Sequence, residues 1–143
     1  MNAVLRWLAT PAVMRVTRIT IGLVFVVAAL GKLGDLPWFA QELHNYHVAP
    51  AWSENVFAVV MPWIELMAGL SLVLGIRARA GGAIALALML VFTIVVAAAW
   101  ARGLDFRCGC FGKIGASRIG AQKFAENAGL TLLAALAVRR TQR

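Results

Sequence analysis

Apolar residues are grouped along this chain in long runs that shorter polar segments interrupt. A helix needs about 20 residues to cross the hydrocarbon core of a bilayer. The runs predict membrane-spanning helices at about 16–34, 55–76, 80–101 and 119–138. The third run contains no charged residue and gives the clearest of these predictions. We therefore expect an all-α, integral membrane four-helix bundle that forms a single domain over residues 1–143.

A few ionisable residues lie inside these runs, where they are costly and therefore candidates for function. Lys32 ends the first run and Glu65 lies in the second, so the two are expected at the same depth. In the fourth run Lys123, Glu126 and Asn127 share one helical face, which should look into the bundle. Either set can alternatively be a polar clamp that ties helices together.

The polar segment between the first two runs is expected to lie at the membrane surface. It contains three residues with polar tips, His44, Tyr46 and His47. Residues 38–47 are predicted to form a short amphipathic helix. Tryptophan and tyrosine are enriched at membrane interfaces, which fits the aromatic content of this segment.

Composition agrees with a membrane protein and excludes a nucleic-acid-binding domain. The chain is 62% hydrophobic, with a mean hydropathy of +0.80 and a net charge of +8. The basic residues flank the apolar runs, with eight on the side of the two termini, which includes the loop between the second and third runs, and six on the other side. By the positive-inside rule, both termini are expected in the cytoplasm. The first run lacks a good cleavage site after it and is expected to be retained.

The only two cysteines, Cys108 and Cys110, lie in the polar gap between the third and fourth runs. Two cysteines that are separated by one residue can form only a small, strained disulfide ring, which is easily reduced. Gly109 gives the backbone the freedom to close it. The nearby Arg107 and Lys113 favour the reactive thiolate. We predict a redox-active pair on the outer side of the membrane.

Other roles for the cysteines stay open. With His44 and His47, the two thiols offer ligands for a metal ion, which would indicate a copper, zinc or mercury binding or transport protein. The spacing of the cysteines is tight for a zinc site. Alternatively the disulfide is purely structural, and the chain is a non-enzymatic membrane assembly factor.

Two thiols alone cannot pass electrons across the membrane. A relay would need a second redox pair on the other side, and this chain has none. Electrons must therefore leave at the same face, to another protein or to a quinone. Lys32 and Glu65 are expected near a quinone headgroup, and the expected contacts to the quinone or the partner are His44, Tyr46, His47 and Phe111.

Several motifs, in order along nearly the whole chain, resemble the MauE family of methylamine utilisation membrane proteins, within the wider DoxX-like group. The most specific is the run Cys108-Gly109-Cys110-Phe111-Gly112. The others are Gly22-Leu23-Val24-Phe25, Gly31-Lys32-Leu33, and Pro62 with Glu65 and Gly69.

The resemblance implies a four-helix protein of the bacterial inner membrane, with the cysteine pair at the periplasmic side. It further implies a role in the maturation of methylamine dehydrogenase, whose small subunit is rich in disulfides, or of another disulfide-containing protein. Cys108 and Cys110 would exchange a disulfide with a periplasmic thioredoxin-like partner. The chain departs from the family in its last helix, where Glu126-Asn127 replaces the common Arg-Asn.

Overall fold

The computed structural model describes residues 10–47, 49–104 and 121–141. All regular secondary structure in these ranges is α-helical. The helices are α1 (Pro11–Leu33), α2 (Leu36–Asn45), α3 (Ala51–Leu74), α4 (Ala78–Ala101) and α5 (Ala121–Thr141).

The cysteine pair and Phe111 lie outside the described residues. What we predict from the sequence about their roles therefore stays a prediction.

Three of the described helices, α1, α3 and α4, are long and apolar enough to cross a membrane. They correspond to the first three predicted spans. Many of their large apolar side chains are exposed, as expected for surfaces that lipid covers. Helix α5 packs along α4 and also contacts α1. Its polar first half keeps it out of the set of candidate spans, so a fourth crossing and the four-helix bundle stay predictions.

Two spanning helices, α1 and α3, begin earlier than their apolar runs because prolines set their first turns. α1 begins at Pro11 rather than near residue 16. A proline in the first turn loses no hydrogen bond, and its fixed φ suits the helix. α3 begins at Ala51 rather than near residue 55, directly after Pro50. The polar first turn of α3 is thus helical, which brings Glu54 into the fold.

Helices α1 and α3 make the most extensive contact in the described structure, and two glycines allow it. A Cβ added to Gly22 would lie 2.8 Å from the carbonyl oxygen of Gly69, and the reverse substitution gives the same distance. Such small residues let the backbones of membrane helices approach closely. This crossing fixes α1 and α3 side by side, so that Lys32 and Glu65 reach each other.

The predicted surface helix is present as α2, shifted two residues towards the N-terminus. Asp35 caps it by accepting a hydrogen bond from the backbone N–H of Trp38 at 3.0 Å. Phe39 is buried, and the helix packs mainly on α3. α2 therefore covers one end of the helix assembly, next to the end of α1.

Candidate functional site

An ion pair between α1 and α3 is the centre of the candidate site. The Lys32 Nζ atom lies 2.6 Å from both carboxylate oxygens of Glu65. Lys32 is 2% exposed and Glu65 is 6% exposed. The pairing predicted from their common depth is confirmed. A buried charge is tolerated when its partner compensates it, and here each residue compensates the other.

The short helix α2 closes the site from one side. The Lys32 Nζ atom lies 5.3 Å from the centre of the Phe39 ring, at a distance typical of a cation–π contact. Phe39 itself is almost fully buried. The ring therefore shields the lysine from solvent and ties α2 to the end of α1.

A small pocket adjoins the ion pair, between α1, α3, α4 and α5. Its cavity volume is about 20 Å³, which is room for one or two water molecules. Its walls are mostly apolar. The lining residues are Val24, Phe25, Ala28, Lys32, Glu65, Leu88, Met89, Phe92, Asn127 and Leu130.

The polar face predicted on the last helix is only partly realised. Asn127 faces inward, is 3% exposed and lines the pocket. Glu126 is exposed and accepts a hydrogen bond from Gln122 at 3.4 Å, so the expectation that it looks into the bundle is wrong. Consecutive helical residues diverge by about 100°, and packing against α4 turned the Asn127 side inward. The side chain of Lys123 is outside the described structure.

The amide of Asn127 is left with an unused donor. Its Nδ2 atom is fully buried and makes no hydrogen bond within the described part of the chain. An unsatisfied buried donor is destabilising by about 1–3 kcal/mol. The sequence placed Asn127 on an inward face, but it held no sign of this unused donor.

A second polar contact lies at the same end of the molecule, between α2 and the first turn of α3. The Nδ1 atom of His44 lies 3.0 and 3.2 Å from the carboxylate oxygens of Glu54. The Glu54 carboxylate is largely buried, whereas 51% of the His44 side chain is exposed. The His47 ring meets the His44 ring edge-on at 5.6 Å. Glu54 was missed as a site residue because the sequence pattern placed it in a loop.

The alternative metal site consists of two cysteines and two histidines. The structure describes only the histidines. Within residues 10–47, 49–104 and 121–141, no group of three or more histidine, cysteine and acidic side chains could hold a metal ion. His44 and His47 contact each other, and the cysteines lie outside the described residues. The four-ligand site thus stays a prediction.

Tyr46 joins α2 to the end of α4. It is buried against Val96 and Ala99, with Leu104 packed at the edge of the cluster. Burial raises the pKa of the Tyr46 phenol well above its ordinary value near 10, and the charge of Glu42 raises it further. Tyr46 is thus an interior packing residue, not an exposed contact.

The segment that carries the cysteines begins and ends near this same end of the molecule. Leu104, the last described residue before it, packs against the Tyr46 cluster. After the segment, Phe124 in the first turn of α5 lies with its ring 6.2 Å from that of Trp100 near the end of α4. Both attachment points of residues 105–120 therefore lie at the end that α2 covers.

Comparison with known proteins gives one consistent result. The family model described as methylamine utilisation protein MauE matches residues 10–140. The chain is 34% identical to the Methylorubrum extorquens methylamine utilization protein MauE over 128 residues, which is 89% of this chain and 69% of the relative.

Two further relatives carry the same name. The Paracoccus denitrificans protein is 36% identical, covering 73% of this chain and 57% of the relative. The Methylophilus methylotrophus protein is 30% identical, covering 70% and 53%. The chain thus spans only a little over half the length of these two relatives. No solved structure matches it.

Proposed function

The chain belongs to the MauE family of methylamine utilisation proteins, and from that membership we propose that it is a membrane thiol–disulfide redox protein. Family membership supports an accessory membrane role in methylamine utilisation. Cys108 and Cys110 carry the redox step, in exchange with a thioredoxin-like partner. The substrate is methylamine dehydrogenase or another protein that acquires disulfides.

The observation that carries the proposal is the placement of the only two cysteines. One residue separates them. The described residues on either side of their segment both lie at the end of the molecule that α2 covers. Between them is a glycine, and basic residues flank them. A close pair of thiols with positive charge nearby has the features of reactive rather than inert cysteines.

The exchange needs no other group in this chain. The thiolate of one cysteine attacks a sulfur of the partner's disulfide, and the partner's other sulfur leaves as a thiolate. The second cysteine then attacks the mixed disulfide, so that Cys108 and Cys110 become joined and the partner leaves as a dithiol. Two electrons pass to the partner, and the reverse sequence returns them. The relative reduction potentials decide the direction.

The proposed location is the bacterial inner membrane, with both termini in the cytoplasm and the cysteine segment in the periplasm. The charge distribution that flanks the apolar runs supports it. An oxidising periplasm is also where disulfide exchange has a use.

The proposal is tested by trapping the partner. Cys108→Ser and Cys110→Ser are expressed separately in cells that make methylamine dehydrogenase, and proteins are resolved without reductant. We expect one variant to accumulate a mixed disulfide with a thioredoxin-like protein, which dithiothreitol releases. The double variant, with no thiol, is the matched control and should trap nothing.

The other two functions give different results with the same variants. A metal protein would bind copper(I), zinc or mercury(II) stoichiometrically and lose the metal in both variants, with no trapped partner. An assembly factor would lose stability without cycling between thiol and disulfide. The redox proposal fails if neither variant traps a protein and both sustain full methylamine dehydrogenase activity.

A further inference from the structure

Positive charge is concentrated at the end of the molecule opposite α2. The first turns of α1 and the turn that joins α3 to α4 form this end. Residues 10–18 and 74–79 contain no aspartate or glutamate but four arginines, Arg15, Arg18, Arg77 and Arg79. The nearest acidic residue along α3 is Glu65, about 15 Å before Gly75 at 1.5 Å per residue, and it pairs with Lys32. The described helices therefore place no acidic side chain beside Arg18.

Arg18 is held in a fixed position at this end. A Cβ added to Gly75 would lie 3.1 Å from both Nη atoms of Arg18 and 3.3 Å from its Cζ atom, so the guanidinium packs face-on against Gly75. Gly75 ends α3 with a left-handed φ of 75°. The carbonyl groups at a helix C-terminus attract positive charge, which explains this position. The Arg18 Nε atom is nevertheless buried without a hydrogen bond in the described part of the chain, and neither ion pair found there includes Arg18.

Exposed apolar side chains lie beside this charge. Leu74 and Ile76, on either side of Gly75, are each 65% exposed. Two candidate membrane spans, α3 and α4, meet at this turn, so the turn marks a membrane surface. A soluble anion would contact the arginines and leave the apolar side chains uncovered. A phospholipid covers both, because its headgroup and its acyl chains meet at this depth.

We propose that Arg15, Arg18 and Arg77 bind the headgroup phosphate of an anionic phospholipid, whose acyl chains pack against Leu74 and Ile76. The planar guanidinium group donates paired hydrogen bonds to phosphate oxygens. Arg15 and Arg18 repel each other at their i, i+3 spacing on α1, and a phosphate between them replaces repulsion with attraction. A zwitterionic lipid fits less well, because the arginines repel its cationic choline group. Basic pockets between membrane helices bind anionic headgroups in other proteins.

The test measures lipid binding to the full-length protein in detergent micelles. Dioleoylphosphatidylglycerol or dioleoylphosphatidylcholine is added, and native mass spectrometry counts the lipid that stays bound. We expect the phosphatidylglycerol to bind more tightly. Arg18→Gln removes the charge and keeps a polar side chain, and it should weaken that binding about 5- to 10-fold, as for one lost basic contact to an anionic headgroup.

Arg102→Gln is the matched control, because it changes the net charge by the same amount at the other end of α4. Arg102 is exposed, and its Nε atom donates to the Ala98 carbonyl oxygen at 3.3 Å. It lies about 36 Å along the helix from Ala78, well beyond the screening length of about 10 Å. Its binding should stay within about twofold of the unaltered protein, as expected for a screened charge.

Arg77→Gln provides a second test should Arg18→Gln not fold, because Arg77 is exposed. It should weaken phosphatidylglycerol binding about fivefold. Glycerol 3-phosphate, which has the phosphate but no acyl chains, should not displace the lipid at equal concentration.

Three results would overturn the inference. Equal binding of the two lipids would show that the site does not select negative charge. Equal weakening by Arg18→Gln, Arg77→Gln and Arg102→Gln would show only diffuse attraction to the whole protein. Displacement by glycerol 3-phosphate would show a site for soluble anions. None of these results bears on the redox proposal, because no cysteine takes part.

Discussion

At the scale of single residues, the distinctive feature is a set of polar side chains enclosed by apolar helices. Lys32 and Glu65 were predictable as a pair because each interrupts an apolar run at a matching depth. It was not predictable from the sequence that Asn127 faces inward while Glu126 is exposed, because both residues are polar and adjacent in the chain. Only packing against neighbouring helices selects which of the two is buried.

The ion pair predicts a characteristic pattern of stability. Lys32→Met leaves the buried Glu65 carboxylate without a partner and should lower the free energy of unfolding by about 3–5 kcal/mol. Glu65→Gln should have a similar effect. The double variant should lose much less than the sum of the two, because no unpaired charge remains. Reversible unfolding by SDS in mixed micelles measures all three, and additive losses would contradict the pairing.

Tyr46 gives a direct test of burial, because it is the only tyrosine in the chain. Its phenolate absorbance near 295 nm should appear only well above pH 10, since burial and then the charge of Glu42 raise its pKa. Glu42→Gln should bring the transition closer to the ordinary value without restoring it, because burial is the larger cause.

The same shift fixes how stability depends on pH. The folded state holds the Tyr46 proton more tightly than the unfolded state. The stabilisation that the folded state gains from this tighter proton binding is therefore complete below pH 10. It is lost as the pH rises through the folded-state pKa of Tyr46. An ordinary titration near pH 10 would show that Tyr46 is not buried as described.

At the scale of helices, continuous apolar runs located α1, α3 and α4 well, and the short amphipathic pattern located α2 to within two residues. The ends were less predictable. Pro11 and Pro50 begin their helices several residues before the apolar runs do. A hydropathy profile does not locate the start of a helix when a proline sets that start outside the apolar run. The close crossing of α1 and α3 depends on two glycines that hydropathy also ignores.

Alanine substitutions should separate a glycine that is needed for packing from one that is not. At Gly22 or Gly69 a Cβ would meet the opposing backbone at 2.8 Å. Either change to alanine should lower the free energy of unfolding by about 1–3 kcal/mol, as for overpacked cores.

Gly129→Ala is the control, because a Cβ there has no atom within 4 Å. It should leave stability unchanged or raise it by up to about 1 kcal/mol, through the better helix propensity of alanine. The same micelle unfolding measures both sites. Equal effects at Gly22 and Gly129 would show that the α1–α3 crossing is looser than described.

At the scale of the whole molecule, the helices gather their functional candidates at one end. The Lys32–Glu65 pair, α2 and both attachment points of the cysteine segment lie there. The sequence predicted the common depth of Lys32 and Glu65, and the structure adds α2 and the attachment points to the same end. The fourth crossing remains a prediction, because α5 is polar along its first half.

Labelling with a membrane-impermeant maleimide tests that crossing. Ala121→Cys and Thr141→Cys, each without Cys108 and Cys110, put one thiol at either end of α5. If α5 crosses, intact spheroplasts should label the first and not the second. Labelling of both from outside would place α5 along one surface. Unaltered protein with reduced cysteines should label from outside, which checks the proposed orientation.

The pairing of Lys32 with Glu65 also constrains how the protein is made. Synthesis proceeds from the N-terminus, so α1 enters the translocon while its partner carboxylate is still inside the ribosome. A lysine at the centre of a membrane helix opposes insertion by about 2.5–3.5 kcal/mol, whereas a lysine near the helix end can reach the interface. Placing Lys32 one residue before the end of α1 lets it extend to the headgroups meanwhile. We therefore expect the α1–α3 pair to become stable only after α3 has been inserted, when Glu65 can reach Lys32.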